Sequence, residues 1–326
     1  MSRKRKRRRG GSSRPTSRPD APAVSETPSG DGDASPDRAP PAVPAKTDDE
    51  PPRPRGLFGG TAPSPYPKFG VSMAAGLRAV GGSPLILGLS FGFLLLTWAL
   101  FVALGVDVTP RLLGILMALS PANLFSDVPV AFAAGTPVAT VVAVVALGIL
   151  RSLTWGVLGL LIVDELSEGR ADLRSALRRL PKVAASLLVI DMIEVALVVV
   201  LLQVIVQLLG QLGILGVLVS IYFLVMAPVV AVTEEARAQD ALRRGFRAAR
   251  LPGTRHVAVV MAYFFFIFWI SAISPFPIFA PATPTVVAWA FAMVTTFIHV
   301  GVFGALVYRW VAVRHLVPAQ ATPART

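Results

Sequence analysis

The sequence predicts an all-α protein: a polytopic helical membrane bundle of six transmembrane helices, with two amphipathic cytoplasmic loop helices and a disordered N-terminal tail. Three observations predict it. The 326 residues are 54% hydrophobic and only 15% charged, too apolar for a water-soluble chain of this length. The apolar residues gather in blocks near the roughly 20 residues that a helix needs to cross a bilayer core. The basic residues concentrate in alternate gaps between those blocks, as cytoplasmic loops require.

Residues 1–69 are dominated by Pro, Ser, Ala, Gly, Asp and Arg. Such a composition buries too little apolar surface to offset chain entropy, so a disordered basic, Pro-rich cytoplasmic tail is expected. It opens on an unbroken basic run, Arg3, Lys4, Arg5, Lys6, Arg7, Arg8 and Arg9. No apolar stretch follows directly, so the run is not a secretory signal. Three readings stay open for it. It can be a solvated topology anchor, it can bind anionic lipid headgroups, and nucleic-acid binding comes last. From Pro67 to Val80 apolar residues return, which predicts a short interfacial helix before the first span.

A membrane domain then covers residues 70–315, with spans at about 84–104, 137–163, 183–209, 213–232, 256–280 and 285–311. Pro84 suits the start of a helix. In the first span Gly88 and Gly92 lie four apart, a small-residue face for close helix contact. The segment 111–134 is interrupted by Pro121, Asp127 and Pro129, and predicts an external loop with an interfacial or re-entrant helix. Trp289 and Trp310 stand near the two ends of the sixth span, as an aromatic belt requires. Residues 316–326 form a short cytoplasmic tail.

Fifteen of the 31 lysines and arginines precede the first span. Others fall between spans two and three (Arg170, Arg174, Arg178, Arg179, Lys182) and between spans four and five (Arg237, Arg243, Arg244, Arg247, Arg250, Arg255). Arg111 alone falls on the opposite side. Six spans in the cell membrane with both termini cytoplasmic fit this bias.

The two cytoplasmic loops resemble each other. DELSEGRADLRSALRRLPK (164–182) and EEARAQDALRRGFRAARLPG (234–253) each open with an acidic pair, carry ALRR near the middle and close on Leu-Pro. Acids at a helix start and arginines at its end suit the helix dipole. In the second loop Leu242, Phe246 and Ala249 share one apolar face. Arg174, Arg178 and Arg179 in the first loop, and Arg243, Arg244, Arg247 and Arg250 in the second, predict helices lying on an anionic membrane surface. The match suggests that spans two–three and four–five are tandem hairpins of a parallel internal repeat. Shared Ala/Arg composition would also produce it.

The end of span four, APVVAVTEE, with DALRRGFRAARLPG after it, resembles a family of six-span bacterial membrane proteins. That family includes the membrane domain fused to some glycerophosphodiester phosphodiesterases and stand-alone members of uncharacterised role. Glu234 or Glu235, Ala241 to Arg244, Leu251 and Gly253 occupy the family's loop positions, and GLRAVGGSPLILGL (76–89) is similar to its entry into span one. The resemblance covers about residues 70–315 and implies a fold, not a reaction. No phosphodiesterase domain accompanies it.

Charges inside spans are costly and often functional. Arg151 lies 12 residues before Val163, Glu194 lies 11 residues after Val183, and His299 lies 12 residues before Val311. At 1.5 Å per residue all three are about 16–18 Å deep, near mid-bilayer. Asp191 shares a helix face with Glu194. Spans two and three are antiparallel neighbours, so Arg151 is expected to pair with Glu194 or Asp191. The cluster Arg151, Asp191, Glu194 and His299 can fix helix register, serve a proton- or substrate-linked transporter, or act catalytically on lipid.

No nucleophile elbow, Gly-rich phosphate loop, His-Glu-x-x-His or kinase signature occurs. There is no cysteine, and His256, His299 and His315 show no ligand spacing, so neither a metal nor another cofactor is expected. The function read from sequence is a membrane scaffold or accessory protein, lipid- or envelope-related. Its expected partners are anionic headgroups or a membrane protein. The alternative is a secondary transporter using the midplane cluster.

Overall fold

The computed structural model describes residues 64–105, 113, 117, 137–200, 212–272 and 285–317. These residues contain helices and no strand. In chain order the helices are α1 (Phe69–Gly82), α2 (Pro84–Ala103), α3 (Pro137–Glu168), α4 (Leu173–Val200), α5 (Leu212–Leu224), α6 (Met226–Glu234), α7 (Ala238–Ala249), α8 (Arg255–Ala272) and α9 (Thr285–Val313), closed by a 3₁₀ turn at Arg314–Leu316. Three stretches are long and apolar enough to cross a membrane: Pro84–Ala103, Val141–Glu168 and Val286–Leu316. Leu218–Glu234 and Arg255–Ile267 are apolar but shorter. The outer ends of expected spans three and five, the expected loop 111–134 apart from Leu113 and Met117, the tail before Ser64 and the residues after Val317 lie outside the described residues.

The α3–α4 hairpin carries much of the core. A Cβ on Gly148 would meet Met192 and Asp191, and one on Gly156 would meet Leu180, Leu187 and Val183. Each pair of positions sums to nearly the same value, the signature of an antiparallel pair in a single register. The buried α3 residues between these glycines and the helix end, Trp155 to Ile162, join Val225 to Val232 and Val300 to Trp310 in one cluster. A smaller cluster of Leu94, Phe101, Leu113, Met117, Leu147 and Ala292 closes the other end.

Four sequence expectations change. The expected interfacial helix is α1, and it packs antiparallel along the C-terminal half of α9. Its contact is made by backbone: a Cβ on Gly76 would collide with the Gly301 carbonyl oxygen and the Ala305 nitrogen. The first loop does not hold a separate helix. α3 continues to Glu168, only 169–172 intervene, and α4 runs through Pro181 into the third expected span. Ring closure removes one N–H at Pro181 without ending the helix, because apolar packing of Ala176 and Val183 holds both sides in place. Expected span four is divided at Val225. Pro228 has no N–H for the Leu224 carbonyl, and α5 ends at that residue.

The fourth change concerns the tail boundary at 69. Tyr66 is 1% exposed and belongs to the main core. The chain is built into the fold from Ser64 onward, five residues before α1 begins.

Candidate functional site

Three polar assemblies, two buried and one half-buried, tie the helices together. The first lies within the α3–α4 pair. Arg151 Nη1 stands 3.1 Å from Asp191 Oδ1, with side chains 9% and 5% exposed. Glu194, one turn on, is fully buried. Arg151, Ser152, Trp155, Asp191, Glu194 and Pro228 line a cavity of about 20 Å³. That is room for one water molecule. Ser152 closes its hydroxyl on the Gly148 carbonyl at 2.7 Å, so it costs no unsatisfied group. His299 lies outside this lining. Its Nδ1 is 2.9 Å from the Tyr263 hydroxyl, and the Tyr263 and Phe266 rings meet its imidazole edge-on. Arg151, Asp191 and Glu194 thus line one cavity, and His299 meets Tyr263 and Phe266 of α8.

The second assembly uses the two similar loops. Arg179, the last residue of the first ALRR, donates to Asp164 Oδ1 at 2.8 Å. Arg244, the last residue of the second ALRR, is bound to Glu234. In each loop, then, the final arginine of ALRR reaches the first acid of its own acidic pair. The alanine of each ALRR, Ala176 and Ala241, is fully buried. The loops are also joined to each other: Arg179 Nε donates to Glu235 Oε1 at 2.8 Å, and Lys182 Nζ stands 4.0 Å from Glu235 Oε2. Glu235 reaches this position because it adopts φ 49°, ψ 34° just past the end of α6. Burial opposes the charge on Arg179, but hydrogen bonds to Asp164 and Glu235 outweigh it and hold its pKa above the usual arginine value.

Glu234 is clamped a second time. The Trp310 indole donates to its Oε1 at 3.2 Å, and the Arg244 guanidinium lies 5.2 Å from the Trp310 ring centre. Arg244 Nε also donates to the Val317 carbonyl at 3.1 Å. Arg179 and Arg244 thus leave the set of surface arginines. Both are half-buried against carboxylates, because each acid lies within one side chain's reach. Arg174, Arg178, Arg243, Arg247 and Arg250 remain exposed. α7 itself is docked through Ala241, Gly245, Ala248 and Ala249, with Leu242 half-buried against the core, so two of the three stripe residues pack inward and Phe246 does not. A Cβ on Gly245 would come within 2.9 Å of the Ala227 nitrogen, so small residues set that contact. Phe246 stays 43% exposed and stacks on Phe223 at 4.5 Å.

The third assembly was not legible in the sequence. Tyr66 is inserted between two cationic or basic groups. Its ring stacks on His256 at 5.4 Å, and the Arg309 guanidinium lies 4.6 Å from its centre. Its hydroxyl donates to the Ala248 carbonyl at 2.6 Å. Arg255 donates to the Tyr66 carbonyl and Arg309 to the Pro67 carbonyl, both at 2.8 Å. Arg309 is fully buried, and its Nε and Nη2 have no hydrogen-bond partner among the described residues. Burial pushes the Tyr66 hydroxyl well above the ordinary phenol range, partly offset by the Arg309 charge. The sequence signal was slight: a lone tyrosine between two prolines, and one arginine inside the last apolar block.

Among the described residues no group of three His, Cys, Asp or Glu side chains could hold a metal ion. No family model matches the chain, and no curated protein or solved structure matches it.

Proposed function

We propose that this chain is an integral membrane scaffold or accessory protein of the cell membrane. In this reading six helices cross, both termini face the cytoplasm, and exposed arginines with the basic tail meet anionic headgroups or a membrane partner. Kinship with the six-span family belongs to the same proposal. One observation favours it over a transport role: the cavity beside Arg151, Asp191 and Glu194 is about 20 Å³, room for one water molecule and too small for a solute. Charges spent on joining α3 to α4 set register rather than carry cargo.

Gentle extraction and pull-down of the full chain tests this reading. A partner at fixed stoichiometry that is lost on deleting residues 2–60 supports it. The same partner retained without the tail would move the contact to the loop arginines, and no partner together with no lipid preference would overturn it.

A second reading is favoured by one feature. The α5–α6 interruption at Val225 places Pro228 on the wall of the charged cavity, and interrupted helices beside midplane charges are a transporter device. A flux into proteoliposomes that is abolished by Glu194→Gln would decide for transport.

A further inference from the structure

A second hollow lies between α1, α8 and α9. Its volume is about 200 Å³, and Phe69, Met73, Val259, Tyr263, Ile298 and Val302 are among the side chains that line it. The polar atom nearest to it on Tyr263, the hydroxyl, is 2.9 Å from His299 Nδ1. The hollow is therefore apolar along its length.

One end is basic. Lys68 immediately precedes Phe69 and is exposed. Arg255 stands one turn before Val259 on the same face of α8. Arg255 donates to the Tyr66 carbonyl at 2.8 Å, which places its guanidinium at the backbone two residues before Lys68. Arg309 is buried behind them, 2.8 Å from the Pro67 carbonyl. No carboxylate balances these cations from the walls: residues 64–82, 252–272 and 285–317 contain no Asp or Glu.

We propose that this groove binds an anionic glycerophospholipid, with one acyl chain in the groove and the phosphate on Lys68 and Arg255. The inference rests on the membrane reading above and adds a defined site to it. An acyl chain gains little by leaving its lipid neighbours for an apolar groove. Selection must therefore come from the headgroup, where two basic groups favour an anionic lipid by roughly tenfold or more.

The test is native mass spectrometry of the full-length protein in detergent, offered phosphatidylglycerol and phosphatidylcholine with the same acyl chains. The wild type should retain one phosphatidylglycerol, about tenfold in preference to phosphatidylcholine. Ala262→Trp, which fills the groove from α8, should abolish retention, and Met73→Trp reads the same site from α1 should the first variant not fold. Lys68→Gln with Arg255→Gln should bring the preference close to one. No retained lipid in the wild type, equal retention of both lipids, or undiminished retention in both tryptophan variants would overturn the proposal. Failure of the underlying membrane reading looks different: alkaline carbonate would then release the protein from membranes.

Discussion

Tyr66 offers the sharpest test of how the segment before α1 is built in. Two substitutions separate its hydroxyl from its ring. Tyr66→Phe removes one hydrogen bond, 2.6 Å to the Ala248 carbonyl, and should cost about 1 kcal/mol. Tyr66→Ala also removes a ring that is 1% exposed, lying 5.4 Å from His256 and 4.6 Å from Arg309. The cavity and lost packing cost about 3–5 kcal/mol, and the lost cation–π contact adds about 1 kcal/mol or more. At about 2–4 °C of Tm per kcal/mol for a domain of this size, the phenylalanine variant should melt a few degrees below wild type and the alanine variant roughly 10–25 °C below. The assay is the apparent Tm in detergent at one fixed scan rate, because heating of such proteins is often irreversible. Two deletions complete the experiment. Removing residues 2–60 should leave Tm unchanged, and removing 2–68 should lower it at least as far as Tyr66→Ala. An alanine variant within about 2 °C of wild type would refute the assignment of this segment to the core.

Other outcomes follow from the same contacts. Stability should fall as pH rises above about 10, because the unfolded tyrosine ionises there while the folded-state pKa of Tyr66 is raised; Tyr66→Phe should flatten that alkaline limb in a Tm-against-pH series. Gly76→Val should cost about 1–3 kcal/mol or prevent folding, since its side chain meets the Gly301 and Ala305 backbone, whereas Gly70→Ala, with open space around it, should be neutral or slightly stabilising by the same melting assay. Arg244→Gln should destabilise by about 2–3 kcal/mol through Glu234, while the exposed neighbour change Arg243→Gln stays within about 0.5 kcal/mol. Arg151→Gln and Asp191→Asn should be non-additive by about 0.6–1.7 kcal/mol in a double-mutant cycle, and strict additivity would deny their coupling.

The apolar blocks were legible because helix length and hydropathy act locally. Pro84, Trp289 and the long runs around α2, α3 and α9 declare themselves without knowledge of any partner. The pairing of Arg151 with a carboxyl on α4 was legible too, because a hairpin fixes which depths meet; that Asp191 makes the 3.1 Å contact depended on helix rotation. Contacts decided by distant backbone were not legible. Gly76 reads as an ordinary small residue until Gly301 and Gly304 are brought against it. Of the apolar stripe on α7, Leu242 and Ala249 pack inward as expected, but the closest approach is made by Gly245 against Ala227, which the stripe did not reveal. Tyr66 gave no period at all, since its partners lie 182 and more residues away along the chain.

The placement of charge along α3 and α4 supplies the last step. Arg151 meets Asp191, and 13 residues further along α3, about 20 Å by helix rise, Asp164 meets Arg179. The stretch between is apolar and buried from Trp155 to Ile162. Hydropathy alone does not select a register between apolar helices, since one leucine is as apolar as the next; Gly148 and Gly156 and the two ion pairs do. Two ion pairs of opposite polarity, set apart by this distance, cannot slide: a shift of one turn moves each partner by about 5.4 Å and breaks both bonds at once. Arg179 then carries the same register to Glu235, and Glu234 carries it through Arg244 and Trp310 to α7 and α9. The repeated acidic pair and ALRR thus act as two equal clamps on one face of the bundle.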